Sequence, residues 1–219
     1  VFARSGDGER AEVSAFVVEA GTAGFSTREV RSMGMNSCPL GELLFEDVLL
    51  PADHLIGAEG EAFAIAKHYL NVGRCFVSFT CLGLSIAAYE AALRYAGARE
   101  QFGRKIGGFQ LVQQMIADML TGVETSRLLA CRAADALDRG APDRGRACSM
   151  AKRHNSDTAL RVCETALQVH GGAGYTRDFP VERYYRDVRH LPKYERRSWS
   201  TWRKASEAAA RAGAPVSRT

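Results

Sequence analysis

Residues 98–110, AREQFGRKIGGFQ, combine side chains that are suited to binding a phosphate group. Arg99 offers a planar fork of N–H donors that neutralises a phosphate through paired hydrogen bonds. Phe102 offers an aromatic face, and a helix that begins near Gln110 presents free backbone N–H groups, which favour anions. The residues alone predict a diphosphate-binding segment, and they leave open the alternative of a basic connection between two helices.

Residues 166–190, ALQVHGGAGYTRDFPVERYYRDVRH, carry three glycines close together. Gly171, Gly172 and Gly174 allow a ligand to approach the backbone closely. The stretch is not a P-loop, because no Gly-Lys-Ser/Thr follows, and it is not a dinucleotide-binding fingerprint, because it follows a helix rather than a strand. His170 stands beside the glycines, and we expect it to be a helix-end histidine with a structural partner.

Residues 191–198, LPKYERRS, place one carboxylate, Glu195, between a tyrosine and two arginines. A carboxylate in a dry pocket has a raised pKa and can act as a general base. The neighbouring guanidinium groups of Arg196 and Arg197 have the opposite effect, because a nearby positive charge stabilises the ionised carboxylate. The residues alone leave two alternatives for Glu195, a surface residue in a basic tail or the base of an enzyme.

The six cysteines show no sign of a metal site or a disulfide framework. None forms a Cys-x-x-Cys pair, and none is spaced from a histidine as in zinc sites. Most of them fall in helical patterns at mostly apolar positions. We therefore expect core thiols in a reducing cytoplasm and no bound metal. The six are Cys38, Cys75, Cys81, Cys131, Cys148 and Cys163.

Two kinds of hydrophobic pattern position these stretches. Residues 1–50 contain short runs rich in β-branched and aromatic residues, broken by glycine, which predict strands. Farther along the chain apolar residues recur three or four apart, which predicts helices. The helices cover about 62–98, 109–138 and 146–170, and a shorter one follows Pro180. The predicted fold is mainly α, an up-down four-helix bundle preceded by part of a β-barrel-like domain.

Composition and charge exclude several classes of protein. The formal net charge is +4, and from Arg186 to Thr219 nine Lys/Arg stand against three Asp/Glu, so the positive charge is concentrated in a basic tail rather than on a face for nucleic acid. We count no apolar run of the roughly 18–20 residues that span a bilayer, and the opening VFARSGDGER lacks the apolar core of a signal peptide. We therefore expect a protein that binds neither nucleic acid nor membranes.

The order of the motifs resembles that of the flavin-dependent acyl-CoA dehydrogenases. REQFGR is followed by a long helical stretch and then by QVHGGAGYTRDFPVERYYRD, and upstream MGMNSCPLGELLFEDVLLPADHLIGAEGEAF is similar to the second half of that family's middle β-domain. The resemblance extends from about residue 1 to Glu195. It implies part of the middle β-domain over 1–56, the C-terminal helical bundle over 57–195, and a divergent basic tail over 196–219.

The resemblance implies FAD as the cofactor and assigns six residues to it. In the family the arginine, phenylalanine and glutamine of the first motif reach the FAD of a neighbouring subunit, and the glutamine and Gly-Gly pair of the second motif contact its adenosine diphosphate half. The matching residues here are Arg99, Phe102, Gln110, Gln168, Gly171 and Gly172. A site shared in this way implies a homo-oligomer, or a complex with a chain that supplies the N-terminal half of the enzyme.

The resemblance also implies the reaction, the α,β-dehydrogenation of an acyl thioester. Arg74 matches an arginine near the thioester end of the family's substrate channel, and a cation on the helix surface is the alternative. Glu195 matches the family's α-proton base, because it follows Arg186-Asp187 at the family's distance. Gly73 occupies the other position of the base in the family and cannot serve. Arg196-Arg197 replace the Gly-Thr that follows the base in the family.

The remaining partners follow from the same resemblance. The acyl group is expected on coenzyme A or on an acyl carrier protein, and the electrons are expected to pass to an electron-transfer flavoprotein or to oxygen. Because the family's N-terminal helical domain and first β-strands have no counterpart here, we expect a fragment or one piece of a split enzyme. A non-catalytic helical subunit that serves as an oligomerisation scaffold is the alternative function.

Overall fold

The computed structural model describes residues 1–5 and 12–193 of the chain. The chain divides into two compact units, one over Val1–Leu70 and one that begins at Asn71. The predicted fold class, mainly α with a helical bundle preceded by a partial β region, is confirmed.

The first unit contains short antiparallel strands. They are β1 (Phe2–Ser5), β2 (Glu12–Phe16), β3 (Phe25–Val30), β4 (Leu40–Phe45) and β5 (Leu55–Ile56). β2 lies between β1 and β5 in one sheet, and β3 pairs with β4. The hydroxyl of buried Ser14 joins the first sheet to the loop before α1, because it lies 2.6 Å from the Ser5 hydroxyl and accepts a hydrogen bond of 2.9 Å from Gly60 N–H.

Four α-helices follow within the part of the chain that the structure describes. They are α1 (Ala62–Ala98), α2 (Gln110–Asp138), α3 (Arg144–His170) and α4 (Val181–Val188). The contacts show an up-down-up order of the long helices. Gly122 of α2 approaches Thr158 of α3, whereas Ala133 approaches Cys148, so α2 and α3 are antiparallel. Hydrogen bonds and ring contacts pair early α1 with early α3 and late α1 with late α3, so these two are parallel.

Helix α1 bears on the expectation that the protein binds no membrane. It contains an 18-residue window with a mean hydropathy of 1.5, so it is long and apolar enough to cross a membrane by length and composition. It is the one such helix in the part of the chain that the structure describes. The core helix of a soluble protein passes the same test, and 44% of this window is buried, so the feature is weak evidence for a membrane.

A buried amide links the three long helices at the centre of the bundle. Asn155 Nδ2 of α3 donates to the backbone oxygens of Ser78 in α1, at 3.3 Å, and Ser126 in α2, at 3.0 Å. All three residues are fully buried. Asn155 Oδ1 and the two serine hydroxyls have no hydrogen-bond partner among the described residues. The polar layer therefore cross-links the helix backbones in a core that is otherwise built largely from alanine, cysteine and valine.

Gly122 permits a close approach of α2 to α3. A Cβ at this position would lie 2.9 Å from Thr158 Cγ2 and 3.4 Å from Val162 Cγ2. Both neighbours are buried. A side chain at 122 would therefore push the helices apart.

Gly122→Ala and Gly83→Ala are expected to change stability in opposite directions. Overpacking at Gly122 lowers the free energy of unfolding by about 1–3 kcal/mol. Gly83 lies within α1, and a Cβ there meets no atom within 4 Å, so alanine stabilises by about 0.5–1 kcal/mol through its helix propensity. Urea unfolding of the three proteins checks this, and an equal change in both variants would contradict the packing argument.

The cysteines form two groups. Cys38 and Cys131 are exposed, the other four are buried in the bundle, and all six are free thiols. Burial raises the pKa of Cys81 and Cys163 to about 12 and that of Cys148 to about 11. The prediction of core thiols is confirmed for the four buried cysteines, and it is wrong for Cys38 and Cys131, which are exposed.

Alkaline pH is expected to destabilise the bundle through these thiols. In the unfolded chain a thiol ionises near pH 8.5–9, whereas the buried thiol stays protonated to about pH 12. The unfolded state therefore binds fewer protons above pH 9, and stability falls by up to about 1.4 kcal/mol per pH unit for each buried thiol. Urea unfolding at pH 8, 9 and 10 in reducing buffer should give a smaller decline for Cys163→Ala than for the wild type, and identical slopes would refute the prediction.

Candidate functional site

A β-hairpin begins directly after α1. Its strands are β6 (Glu100–Gln101) and β7 (Arg104–Lys105), and Ile106 N–H closes it on the carbonyl oxygen of Arg99 at 2.9 Å. The tip residues Phe102 and Gly103 have φ of 53° and 76°, the combination that two-residue hairpins favour. The sequence analysis did not predict these paired strands.

The hairpin presents Phe102 at its tip, with 93% of its surface exposed. Its ring centroid lies 6.4 Å from that of Phe109, edge to face, and the Arg104 guanidinium carbon lies 4.0 Å from the centre of the Phe109 ring. Phe109 precedes the first residue of α2, Gln110, which is exposed. These ring contacts hold the hairpin against the start of α2.

The glycine turn begins where α3 ends. Gly171 has φ 57° and ψ −137°, which favours glycine, and Gly171–Tyr175 forms a short 3₁₀ helix. A Cβ on Gly172 would meet no atom within 4 Å, so the backbone there borders open space. Gly174 is different, because a Cβ there would lie 2.7 Å from the backbone oxygen of Leu167. The turn therefore packs onto α3 through Gly174 and exposes its backbone at Gly172.

A cleft of about 380 Å³ brings four of the predicted residues together. Arg99 directly follows α1, whereas Gln168, Gly171 and Gly172 come from the last turn of α3 and the glycine turn. The rest of the lining comprises Tyr95, Gln101, Ile106, Val169, His170 and Ala173. Phe102 and Gln110, which were predicted for the same ligand, do not line this cleft.

Arg99 has no ion-pair partner within 1–5 and 12–193, in contrast to Arg94, which lies 3.5 Å from Glu90 in the same helix. Gln168 adds an amide, and Gly172 adds open backbone. A cation, amide groups and accessible backbone around one cleft form a donor-rich site for an anion such as a diphosphate.

His170 has the structural role that the sequence predicted. Its Nδ1 lies 2.8 Å from the carbonyl oxygen of Ala166, which can only accept, so Nδ1 carries the proton. The ring stacks on Tyr95 with centroids 4.2 Å apart and meets the edge of Phe179 at 5.3 Å. Burial lowers the pKa of His170, so the ring is neutral at pH 7.

Tyr95 and Gln101 are cleft residues that the sequence analysis missed. Tyr95 lies four residues before Arg99, a spacing that places both on one face of a helix. The sequence could therefore have predicted that Tyr95 lies beside Arg99. Gln101 had no such signal, because its direction depends on the hairpin.

Arg74 lies in α1 and is half-buried. Its Nη1 donates to Asn71 Oδ1 at 3.4 Å and to the Ser149 hydroxyl of α3 at 3.3 Å. With a rise of 1.5 Å per residue, the 24 residues from Arg74 to Ala98 span about 36 Å of helix. Arg74 and the cleft thus lie at opposite ends of the bundle.

Arg186 in α4 is paired with Glu182, one turn earlier, through contacts of 2.7 and 3.2 Å. The bond to Arg186 lowers the pKa of the Glu182 carboxyl.

Glu195 and Arg196-Arg197, like the predicted tail over 196–219, lie outside the described residues. Within the described residues no group of three or more His, Cys, Asp or Glu side chains is placed to hold a metal ion.

Comparison with known proteins identifies the family. The family model described as acyl-CoA dehydrogenase, C-terminal domain, matches residues 60–195. The chain belongs to the acyl-CoA dehydrogenase family. It is 41% identical over 190 residues to an acyl-CoA dehydrogenase of Bacillus subtilis, which covers 86% of this chain and 50% of that protein.

Two further relatives agree with this family. Subunit CarC of the caffeyl-CoA reductase-Etf complex of Acetobacterium woodii is 36% identical over 184 residues, which is 84% of this chain and 48% of that protein. Butyryl-CoA dehydrogenase from Megasphaera elsdenii is similar in structure, with a TM-score of 0.89 and 34% identity over 95% of this chain and 55% of that one. The chain spans about half the length of the curated relatives it matches.

Gly174→Ala is expected to displace the glycine turn. Its Cβ clashes with backbone rather than with a flexible side chain, so the variant loses about 1–3 kcal/mol of stability. Gly172→Ala is the control in the same turn, because its Cβ enters open space. Thermal unfolding followed by circular dichroism should show a lower Tm for Gly174→Ala alone, and an unchanged Tm in that variant would contradict the packing.

Proposed function

We propose that this chain forms part of an FAD-dependent enzyme that removes the α and β hydrogens of an acyl thioester. Membership of the acyl-CoA dehydrogenase family supports the reaction class. The observation that carries the proposal is the cleft in which Arg99, Gln168 and the Gly171-Gly172 backbone meet.

The residues of the cleft fit the adenosine diphosphate half of FAD. The Arg99 guanidinium matches the charge of a pyrophosphate, and the Gln168 amide and the open backbone at Gly172 add donors that suit its oxygens. Phe102, exposed at the hairpin tip, and Gln110, exposed at the start of α2, are proposed as further FAD contacts. When bound, FAD supplies the acceptor for the hydride that leaves Cβ of the acyl group.

The proton chemistry is proposed for Glu195. Its carboxylate takes the α-proton from the thioester, which requires a carboxyl with a raised pKa in a dry pocket. The proposal is supported by its place in the sequence after Arg186-Asp187 and by Gly73, which has no side chain to act as the alternative base. Arg74 is proposed to bind near the thioester carbonyl.

Distance supports an oligomer. Arg74 and Tyr95, the residue of α1 that lines the cleft, are about 32 Å apart along the helix, which is longer than an extended FAD molecule. A single FAD therefore cannot occupy the cleft and also react beside Arg74 of the same chain. We propose that the cleft holds the FAD of a neighbouring subunit. The assembly is either a homo-oligomer of this chain or a complex that also contains a chain with the N-terminal half of the enzyme.

The electron acceptor is proposed to be an electron-transfer flavoprotein, with oxygen as the alternative. The relative from Acetobacterium woodii, a subunit of a reductase-Etf complex, supports this choice. Coenzyme A is the proposed carrier of the acyl group, because the names of the relatives refer to acyl-CoA substrates. An acyl carrier protein is the alternative carrier.

FAD binding and reduction test the proposed function. The chain is purified with the products of neighbouring genes, FAD affinity is measured by fluorescence, and loss of the flavin absorbance bands is recorded after anaerobic addition of butyryl-CoA and longer acyl-CoAs. Bound flavin that is bleached by an acyl-CoA supports the enzyme. Protein that oligomerises but binds no flavin with any partner leaves only the scaffold function.

Arg99→Met is expected to weaken FAD binding roughly 10- to 100-fold, because a hydrogen bond to a charged group contributes about 1.5–3 kcal/mol. Arg94→Met is the matched control, since Arg94 is an exposed arginine of the same region that pairs with Glu90 instead. Equal FAD affinity of the two variants would contradict the assignment of the cleft.

A further inference from the structure

Arg74 is held from two helices. Its Nη1 donates to Asn71 Oδ1, one turn earlier in α1, and to the hydroxyl of Ser149 in α3. Ser149 is buried, with 8% of its surface exposed, so water competes little for this hydroxyl. Because a guanidinium is planar, contacts to one nitrogen from both helices restrict the orientation of the whole group.

The partners of Ser149 determine where its proton lies. Ser149 Oγ is 2.7 Å from the backbone oxygen of Gly145, which can only accept, so the hydroxyl donates to Gly145. A guanidinium can only donate. The Ser149 oxygen therefore accepts from Arg74 through a lone pair, and its two hydrogen bonds are compatible with each other.

We propose that Ser149 is a positioning residue that orients the Arg74 guanidinium. The consequence for catalysis rests on the proposed function, in which Arg74 binds near the thioester. Ser149 acts through Arg74 and touches no substrate in this role. Loss of its hydroxyl leaves the charge of Arg74 in place and increases the number of orientations that the guanidinium samples.

Ser149→Ala and Ser85→Ala form a matched pair of variants. Ser85 is also buried in a helix, and its hydroxyl also donates to the backbone oxygen four residues earlier, that of Cys81, at 2.9 Å. No arginine of the described residues hydrogen-bonds to Ser85. Both variants lose the same helical hydrogen bond, and only Ser149→Ala also removes a hydrogen-bond partner of Arg74.

The orientation of Arg74 is tested without any activity measurement. The full chain is treated with phenylglyoxal, and the modification rate of Arg74 is measured by peptide mass spectrometry. Arg153, paired with Asp157 at 2.7 Å in α3, serves as the internal reference for general loosening. We expect a several-fold faster rate at Arg74 in Ser149→Ala and the wild-type rate in Ser85→Ala. Equal rates in all three proteins would overturn the proposal.

Kinetics of the flavin-loaded complex provide the second test. Ser149→Ala is expected to lower kcat/KM for butyryl-CoA several-fold, and to have no further effect in an Arg74→Lys background, because it acts through the guanidinium. An equal fall in both backgrounds overturns the positioning role. If the wild type oxidises no acyl-CoA, the proposed function fails, and the phenylglyoxal rates still decide the role of Ser149.

Discussion

The packing of α3 against both α1 and α2 is the constraint on which the rest of the bundle depends. Small residues allow it, because buried alanines line α3 and Gly122 faces it from α2. Asn155 then bonds to the backbone of both neighbours and opposes sliding of one helix along another. Van der Waals attraction between helices is large only when their surfaces are in close contact. The close packing therefore fixes the positions of the three helices, and with them the positions of the side chains that they carry.

The same helix supplies residues at both ends of the bundle. Ser149 lies near the start of α3 and contacts Arg74, whereas Gln168 lies in its last turn and lines the cleft. Stacking of His170 on Tyr95 fixes the end of α3 to the end of α1. His170 is buried and Tyr95 is partly buried, and burial lowers the pKa of His170, which favours the neutral ring in this stack. Helix α3 therefore fixes the distance between Ser149 at one end of the bundle and Gln168 at the other.

Local patterns predicted the helices well, and long-range features less well. The predicted helices over 62–98 and 109–138 match α1 and α2 to within a residue, because their apolar residues recur with a helical period and because Gly140 and Pro142 follow the end of α2. The hairpin after α1 was missed, since strands of two residues have no periodicity. The sequence suggested Arg99, Gln168, Gly171 and Gly172 by resemblance, but their meeting in one cleft depends on how the ends of α1 and α3 pack. Ser149 had no sequence signal, because its role depends on a contact with a residue 75 positions away.

The conformation and exposure of Phe102 are both energetically unfavourable, and the contacts that the structure describes do not compensate for them. It adopts a left-handed conformation, which is unfavourable for a residue with a side chain, and it exposes 93% of a large aromatic surface to water. Among the described residues its ring meets that of Phe109 edge to face, and the Arg104 guanidinium stacks on Phe109 and not on Phe102. A turn that only joined α1 to α2 would be more stable with asparagine or glycine at this position. The conformation is therefore better explained by a surface that covers the ring, which is the role proposed for it at the FAD of a neighbouring subunit.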